Sequence, residues 1–392
     1  MRCDRRSQPA ERTVPCRIAS HDHVAGVLAA LRRLRETVDP DAPGEADGRE
    51  QNAMTRAVVM RSYGGPETLR IEDRPTVRLA PGEVRVRVLA ATVNHSDLEV
   101  RSGAWPVRRQ PAFPYVPGLE AVGDVTEVAA GTQHVREGQR VWTMMQGLGG
   151  VRAERDGGYA EEVVVEADAL APLPDDLDPV AAAAVGLAGV TAACGLCRLL
   201  PGSAAGDARP LPPLVDLAGR ALAVTGAGGG VGSLAVALAA AAGARVLGVA
   251  GREQQAAYVR GLGATEVVVG RGASVGLTAG SLDGVLDTVA GPLFGTLVAA
   301  LRRSGRYCLV GAVAGSQVSF DAWSLEARVL TAWSSEDLDG STLRAATEDL
   351  VSVLRPGRLA APAVTVLPLE DAARAHALLE AHEVTGRLVL VP

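Results

Sequence analysis

The chain has 392 residues, 47% of them hydrophobic and 21% charged, with a formal net charge of -6. That length suits two or three domains with full cores, and the composition excludes disorder as the main state. The 39 basic and 45 acidic residues form no dominant basic tract, so nucleic acid and anionic membranes are not expected partners. Every one of the 39 basic residues is Arg, which excludes lysine chemistry such as Schiff bases and a P-loop. The five cysteines, Cys3, Cys16, Cys194, Cys197 and Cys308, suggest no disulfide framework by number or spacing. Neither a secretory signal nor a membrane span is legible, so a cytoplasmic, reduced setting is expected.

Residues 1–53 hold nine Arg and nine acidic residues, with Pro and Gly at 39–44. They are expected to form a poorly ordered extension. A short helix is predicted near Val24–Thr37, and Met54 is an alternative translation start. Residues 54–178 read as a β-rich module. A strand-like run starts at Met54, Val84–Val88 alternates with period two, and Gly118–Val128 and Gly138–Met144 follow the same pattern. Pro81-Gly82, Pro117-Gly118 and Gly157-Gly158 mark turns. Asp178-Pro179 then predicts a helix start, and Ala-rich sequence continues to about Leu200. Beyond a Pro- and Gly-containing loop, strands and helices alternate. Strands are predicted at Ala221–Thr225, Arg245–Ala250, Val267–Val269, Gly284–Asp287 and Tyr307–Val310, with helices at 231–242 and Glu253–Leu262. Such alternation predicts a parallel sheet covered on both faces, an α/β class. A helix at Leu369–Ala381 and a strand at Arg387–Val391 close the chain.

The most informative stretch is Val224-Thr225-Gly226-Ala227-Gly228-Gly229-Gly230-Val231-Gly232, between an apolar strand and an apolar helix. In that context glycines allow a tight turn, and a helix N-terminus offers free N–H groups to a pyrophosphate. The register Ala227-x-Gly229-x-x-Gly232 puts Ala where the first Gly usually stands. Ala227, Gly229, Gly230, Val231 and Gly232 are the predicted phosphate-binding residues. The following strand ends Ala250-Gly251-Arg252, without the carboxylate that usually meets the ribose of NAD. Arg suits a 2′-phosphate, so NADPH is the expected cofactor. Glu253 beside Arg252 weighs the other way, and Arg252 also reads as a solvated helix-start residue.

Four stretches resemble one family. They are Met54–Val58 with Gly64-Gly65-Pro66-Glu67, then Val93-Asn94-His95-Ser96-Asp97 through Gly103. Pro117-Gly118-Leu119-Glu120-Ala121-Val122-Gly123 follows, and then Ala188-Gly189-Val190-Thr191-Ala192 ahead of the glycine turn. In this order they resemble the medium-chain dehydrogenase/reductase superfamily, in its zinc-free quinone oxidoreductase-like branch. The resemblance implies a GroES-like catalytic domain over 54–178, a Rossmann domain over 179–335 and a return to the first domain over 336–392. It also implies a substrate cleft between the domains and a homodimer. Zinc members use a Cys and a Gly-His-Glu histidine. Here Ser96 stands near the cysteine's place and Leu119 replaces the histidine, so no metal is expected. Cys194 and Cys197 read as small buried hydrophobes.

The resemblance assigns Thr191 and Gly311 to the nicotinamide side, and Asn94, Asp97 and Tyr159 to the catalytic cleft. Each has a plainer alternative: a helix hydroxyl bonded to its own backbone for Thr191, a turn residue for Asn94, a structural cap for Asp97, a core or surface tyrosine for Tyr159. Arg271 could reach the 2′-phosphate, or is a surface residue. Some relatives carry a Tyr where Glu99 stands, which excludes that proton donor, and Gln254-Gln255 stand where relatives have a lysine. His95 and His134 stand alone, and His376 and His382 read as surface residues. The implied reaction is hydride transfer from NADPH to a small-molecule quinone or an activated enone or enoyl double bond. A specialised biosynthetic reductase and a non-catalytic NADPH-binding scaffold are the alternatives.

Overall fold

Period-two alternation of valines builds the first sheet. The structure, a computed structural model, describes residues 53–104, 113–144, 155–202, 214–272, 275–335, 338, 340–354 and 360–392. The expected extension up to Asn52, with its helix, and parts of the loops 103–116 and 142–158 lie outside the described residues. In chain order the first half holds β1 (Met54–Val59), β2 (Arg70–Pro75), β3 (Glu83–Val93), α1 (His95–Ser102), β4 (Glu120–Val128), β5 (Arg140–Met144), β6 (Glu162–Glu166) and β7 (Leu170–Pro172). The second half runs α2 (Pro179–Cys197), β8 (Ala221–Thr225), α3 (Gly230–Ala241), β9 (Arg245–Ala250), α4 (Ala256–Gly261), β10 (Glu266–Val269) and β11 (Leu282–Asp287). It continues with α5 (Phe294–Ala300), β12 (Leu301–Leu309), β13 (Val329–Ala332), α6 (Gly340–Leu354), β14 (Val364–Pro368), α7 (Ala372–Glu380) and β15 (Arg387–Val391).

A seven-stranded sheet has the order β14-β15-β3-β4-β5-β7, with β6 also paired to β3. In β3, Val84, Val86 and Val88 face the core while Arg85 and Arg87 face outward. From Ala90 to Val93 every residue is buried, because here the strand leaves the outer surface and is covered by α2. The terminal strand β15 pairs antiparallel with Ala91–Val93 of β3, so the last residues of the chain complete the first domain's sheet.

The second sheet is wholly parallel, in the order β10-β9-β8-β11-β12-β13. The strand order reverses between β8 and β11, and a crevice at the carboxyl ends of those strands is where doubly wound sheets take ligands. Helix α2 starts as the sequence predicts. Asp178 Oδ1 accepts from the Ala181 N–H at 2.8 Å, and Pro179 occupies the first turn. The helix is long and apolar enough to cross a membrane, but it is mostly buried and packs on α3, α6, β3 and β4 as a core helix. It breaks at Gly186, whose φ and ψ are not helical. A Cβ there would lie 2.1 Å from Glu120 Oε2, so the approach of helix to carboxylate requires glycine.

Candidate active site between the two sheets

The glycine turn joins β8 to α3 at the reversal point. Gly226 has φ of +56°, and a Cβ on Gly232 would fall 2.1 Å from the Gly226 carbonyl oxygen. Those two glycines make the turn tight. Ala227 is tolerated because its methyl is buried 3.3 Å from where a Cβ on Gly248 would stand. Gly229 caps α3, and the first N–H groups of the helix, from Gly230, Val231 and Gly232, have no intrahelical acceptor. The helix end therefore offers donors and the positive pole of a dipole at the crevice.

Beside the turn, Asp287 at the end of β11 is fully buried. It accepts from Thr225 Oγ1 at 2.5 Å, from the Val289 and Ala290 amides at 2.8 and 3.1 Å, and from the Tyr307 hydroxyl. This network fixes the carboxyl ends of β8 and β11 against each other. Gly311 follows β12, and a Cβ on it would stand 2.9 Å from the Thr288 carbonyl oxygen. At the end of β9, Arg271 Nε donates to the Gly251 carbonyl at 3.1 Å, and Arg252 Nη2 donates to the Val384 carbonyl at 3.1 Å. The Arg271 guanidinium thus lies against Gly251 and that of Arg252 reaches Val384, while Glu253 is solvent-exposed.

The two domains meet over a buried polar cluster. Glu120, at the head of β4, is fully buried and accepts from five groups. These are the Thr92 hydroxyl, Asn94 Nδ2 at 3.0 Å, Trp142 Nε1 at 3.3 Å, the Leu187 amide at 2.7 Å and Arg387 Nη2 at 3.1 Å. The break at Gly186 turns the Leu187 N–H toward the carboxylate. Arg387, only 4% exposed, also donates to the Ala184 carbonyl at 2.9 Å and twice to Asn94 Oδ1 at 3.1 Å. A Cβ on Gly230 would lie 2.6 Å from Arg387 Nη1, so this ion pair stands directly against the start of α3. Neither Glu120 nor Arg387 is singled out by sequence reasoning. A signal exists: a charge at the head of the otherwise apolar Arg387–Val391 run must be paired if buried.

Asn94 caps α1 and lies within this cluster, with both amide atoms committed to Arg387 and Glu120. Asp97 is fully buried, and it accepts from the Asn94 amide at 2.8 Å and the Leu119 amide at 3.0 Å. Burial, with Glu120 adding to it, pushes the Asp97 carboxyl up to about 7 against the pull of those amides and of the Tyr159 hydroxyl. Tyr159 is fully buried in the first domain's core, and its hydroxyl reaches the Thr92 carbonyl at 3.4 Å. Burial, with Asp97 next to it, raises the phenol well above its ordinary value. Asp97 and Tyr159 are therefore buried groups tied to Asn94, Leu119 and Thr92. Thr191 donates to the Leu187 carbonyl at 2.8 Å, within its own helix.

One expectation is overturned. His376 is not a surface residue but 0% exposed, because α7 packs its inner face on the first domain's core. Its Nε2 lies 3.3 Å from the Tyr159 hydroxyl, and burial pushes it down to about 3. His382 is exposed, as expected, and Glu99 is half-buried on α1, where burial raises its carboxyl. Cys194 and Cys197 are half-buried and buried, and burial pushes both thiols up to about 12, which leaves them inert.

The positions that would hold zinc do not fit the metal. Leu119 is a buried hydrocarbon whose N–H is spent on Asp97, and no group of three or more His, Cys, Asp or Glu among the described residues could hold an ion.

Comparisons with known proteins agree with this arrangement. Residues 80–175 match the alcohol dehydrogenase GroES-like domain family, and residues 262–390 match the family described as zinc-binding dehydrogenase. The quinone oxidoreductase of Mus musculus is 28% identical over 86% of this chain and 98% of its own length. The acrylyl-CoA reductase AcuI of Ruegeria pomeroyi is 31% identical over 69% of this chain and 74% of its own. Among solved structures, Escherichia coli quinone oxidoreductase complexed with NADPH superposes with a TM-score of 0.73 at 25% identity, covering 86% of this chain and all of that one. The chain therefore belongs to the medium-chain dehydrogenase/reductase superfamily, in its quinone oxidoreductase-like branch, and is an oxidoreductase.

Proposed function

We propose that the chain is an NADPH-dependent, zinc-independent reductase of quinones or of double bonds conjugated to a carbonyl. The observation that carries this reading is Leu119, a buried hydrocarbon in the Gly118-Leu119-Glu120 stretch where zinc members of the family carry a histidine, so the Lewis acid that would polarise an alcohol or ketone oxygen has no ligand there. Without that Lewis acid the favoured acceptor is one already electrophilic. The cofactor, when bound, supplies the hydride. The N–H groups of Gly230, Val231 and Gly232 receive its pyrophosphate, and Arg252 and Arg271 receive its 2′-phosphate. Gly311 leaves room for the nicotinamide beside the backbone. Asn94, Asp97 and Tyr159 act as positioning residues, because the two carboxyl and phenol groups are buried and Asn94 is bonded at both amide atoms. The proton that completes the reduction of the acceptor then comes from water. A small-molecule acceptor enters between the domains, and the protein works as a cytoplasmic homodimer.

The relatives support this choice of acceptors, since one is named a quinone oxidoreductase and another an acrylyl-CoA reductase. The test is cofactor oxidation by protein treated with EDTA, with NADPH and NADH run against a panel of quinones and enones. Turnover that survives chelation and favours NADPH is expected. Activity lost on chelation and restored by zinc, or tight NADPH binding without turnover on any acceptor, would overturn the proposal.

A further inference from the structure

We propose that the turn Glu383–Gly386, which belongs to the first domain, sets the enzyme's preference between NADPH and NADH by holding Arg252 from across the domain boundary. The inference rests on the reading that Arg252 receives the 2′-phosphate. Arg252 leaves the end of β9, and its Nη2 donates to the carbonyl of Val384, 132 residues further on. One of five guanidinium N–H donors is thereby used, and the others stay available for an anion. A free arginine must give up rotamer freedom to grip a phosphate. A tethered one has already done so, and binding gains accordingly.

The tether is itself held at two amides, the second through a relay. The Gly386 amide donates to the Gly228 carbonyl of the glycine turn at 3.0 Å. The Arg387 amide donates to the Ala363 carbonyl at 2.8 Å, and the Ala363 amide donates to the Tyr258 hydroxyl of α4 at 3.1 Å. The 383–386 turn is thus registered to the phosphate turn and to α4 together. Gly386 is needed for this geometry: its φ is +82°, and a Cβ would lie 2.2 Å from the Ala363 carbonyl oxygen. Arg271 contrasts with Arg252, because its own tether, the Gly251 carbonyl, lies in the same domain. Recognition of the 2′-phosphate is therefore linked, through Arg252 alone, to how the first domain meets the second.

Dissociation constants for NADPH and NADH, measured by fluorescence titration on the full chain, test this without reliance on turnover. Wild type is expected to prefer NADPH, and Arg252→Ala to weaken NADPH by about tenfold or more while leaving NADH nearly unchanged. Gly386→Ala, which displaces the turn, is expected to lower the NADPH preference, read as the ratio of the two constants, by about threefold or more, beyond any weakening that both cofactors share through Gly228. Tyr258→Phe removes one anchor without adding bulk; its effect has the same direction, and it decides the matter if Gly386→Ala does not fold. In the Arg252→Ala background, Gly386→Ala should bring no further loss of preference. Equal weakening of both cofactors by the turn variants, or a preference loss that persists without Arg252, would overturn the role of the turn while leaving Arg252 as the phosphate ligand. No effect of Arg252→Ala would overturn the phosphate reading, and this inference with it.

Discussion

Arg387 and Glu120 form a buried ion pair that bonds to Asn94, to the α2 backbone and against the first residue of α3. Such a pair need not stabilise more than apolar residues would, but breaking it leaves one charge buried and alone. Arg387→Met is expected to cost about 3–5 kcal/mol in denaturant unfolding, and Glu120→Leu added to it should recover part of that loss. A double-mutant cycle checks both statements. His376 contributes a pH dependence opposite in sign to that of Asp97, whose raised carboxyl binds its proton first in the folded chain. The histidine is buried neutral with its folded value pushed down to about 3 from an ordinary 6.5. Below its ordinary value the unfolded chain takes up a proton that the folded chain refuses. Its stabilising share is therefore complete above about pH 6.5 and is lost as pH falls toward about 3. His376→Phe keeps a ring against Tyr159 and removes the titration. Asp97 works against this over the same window, so the check is a difference: between about pH 7 and about pH 5 the urea midpoint of the variant should rise relative to that of wild type.

At the scale of elements, the glycine turn is the part with least tolerance. Gly232→Ala would push a methyl onto the Gly226 carbonyl oxygen, so the turn must open. A loss of about 1–3 kcal/mol in stability is expected, together with at least a tenfold weaker NADPH affinity measured by titration. Ala227→Gly is the control. Its methyl only packs toward Gly248, so about 1 kcal/mol of stability is lost and cofactor affinity is kept. Helix α2 shows how far element-level reading goes. Its cap at Asp178 and its apolar length are legible because both are local properties of consecutive residues. Its break at Gly186 is not, because the partner there is Glu120 on β4, which accepts the Leu187 N–H and leaves no room for a Cβ.

At the scale of the molecule, β13 is the outer strand of the parallel sheet, and apolar side chains gather before and on it. Trp323 is 86% exposed, and Phe320, Leu325 and Val329 are exposed too. An unpaired edge beside such a patch favours pairing with another copy. The homodimer is expected to form across β13, so Trp323→Glu with Val329→Arg should shift the protein toward monomer in light scattering without loss of cofactor binding.

The fold class, the positions of β8, β9 and β15, the helix start at Pro179 and the glycine turn between β8 and α3 follow from short-range pattern alone. Hydrophobic period, capping and glycine spacing act between residues a few positions apart, so they can be read without knowing what lies opposite. Asn94, Asp97 and Leu119 could be named from their own stretches, but Arg387 and the environments of all four could not. Asn94 meets Arg387 across 293 positions, Tyr159 meets His376 across 217, and Arg252 meets Val384 across 132. Whether a charged or titratable side chain is buried depends on what the folded chain packs against it. A histidine that reads as surface on its own helix, and an arginine whose neighbours in sequence say nothing of Val384, acquire their surroundings only when distant segments pack against them.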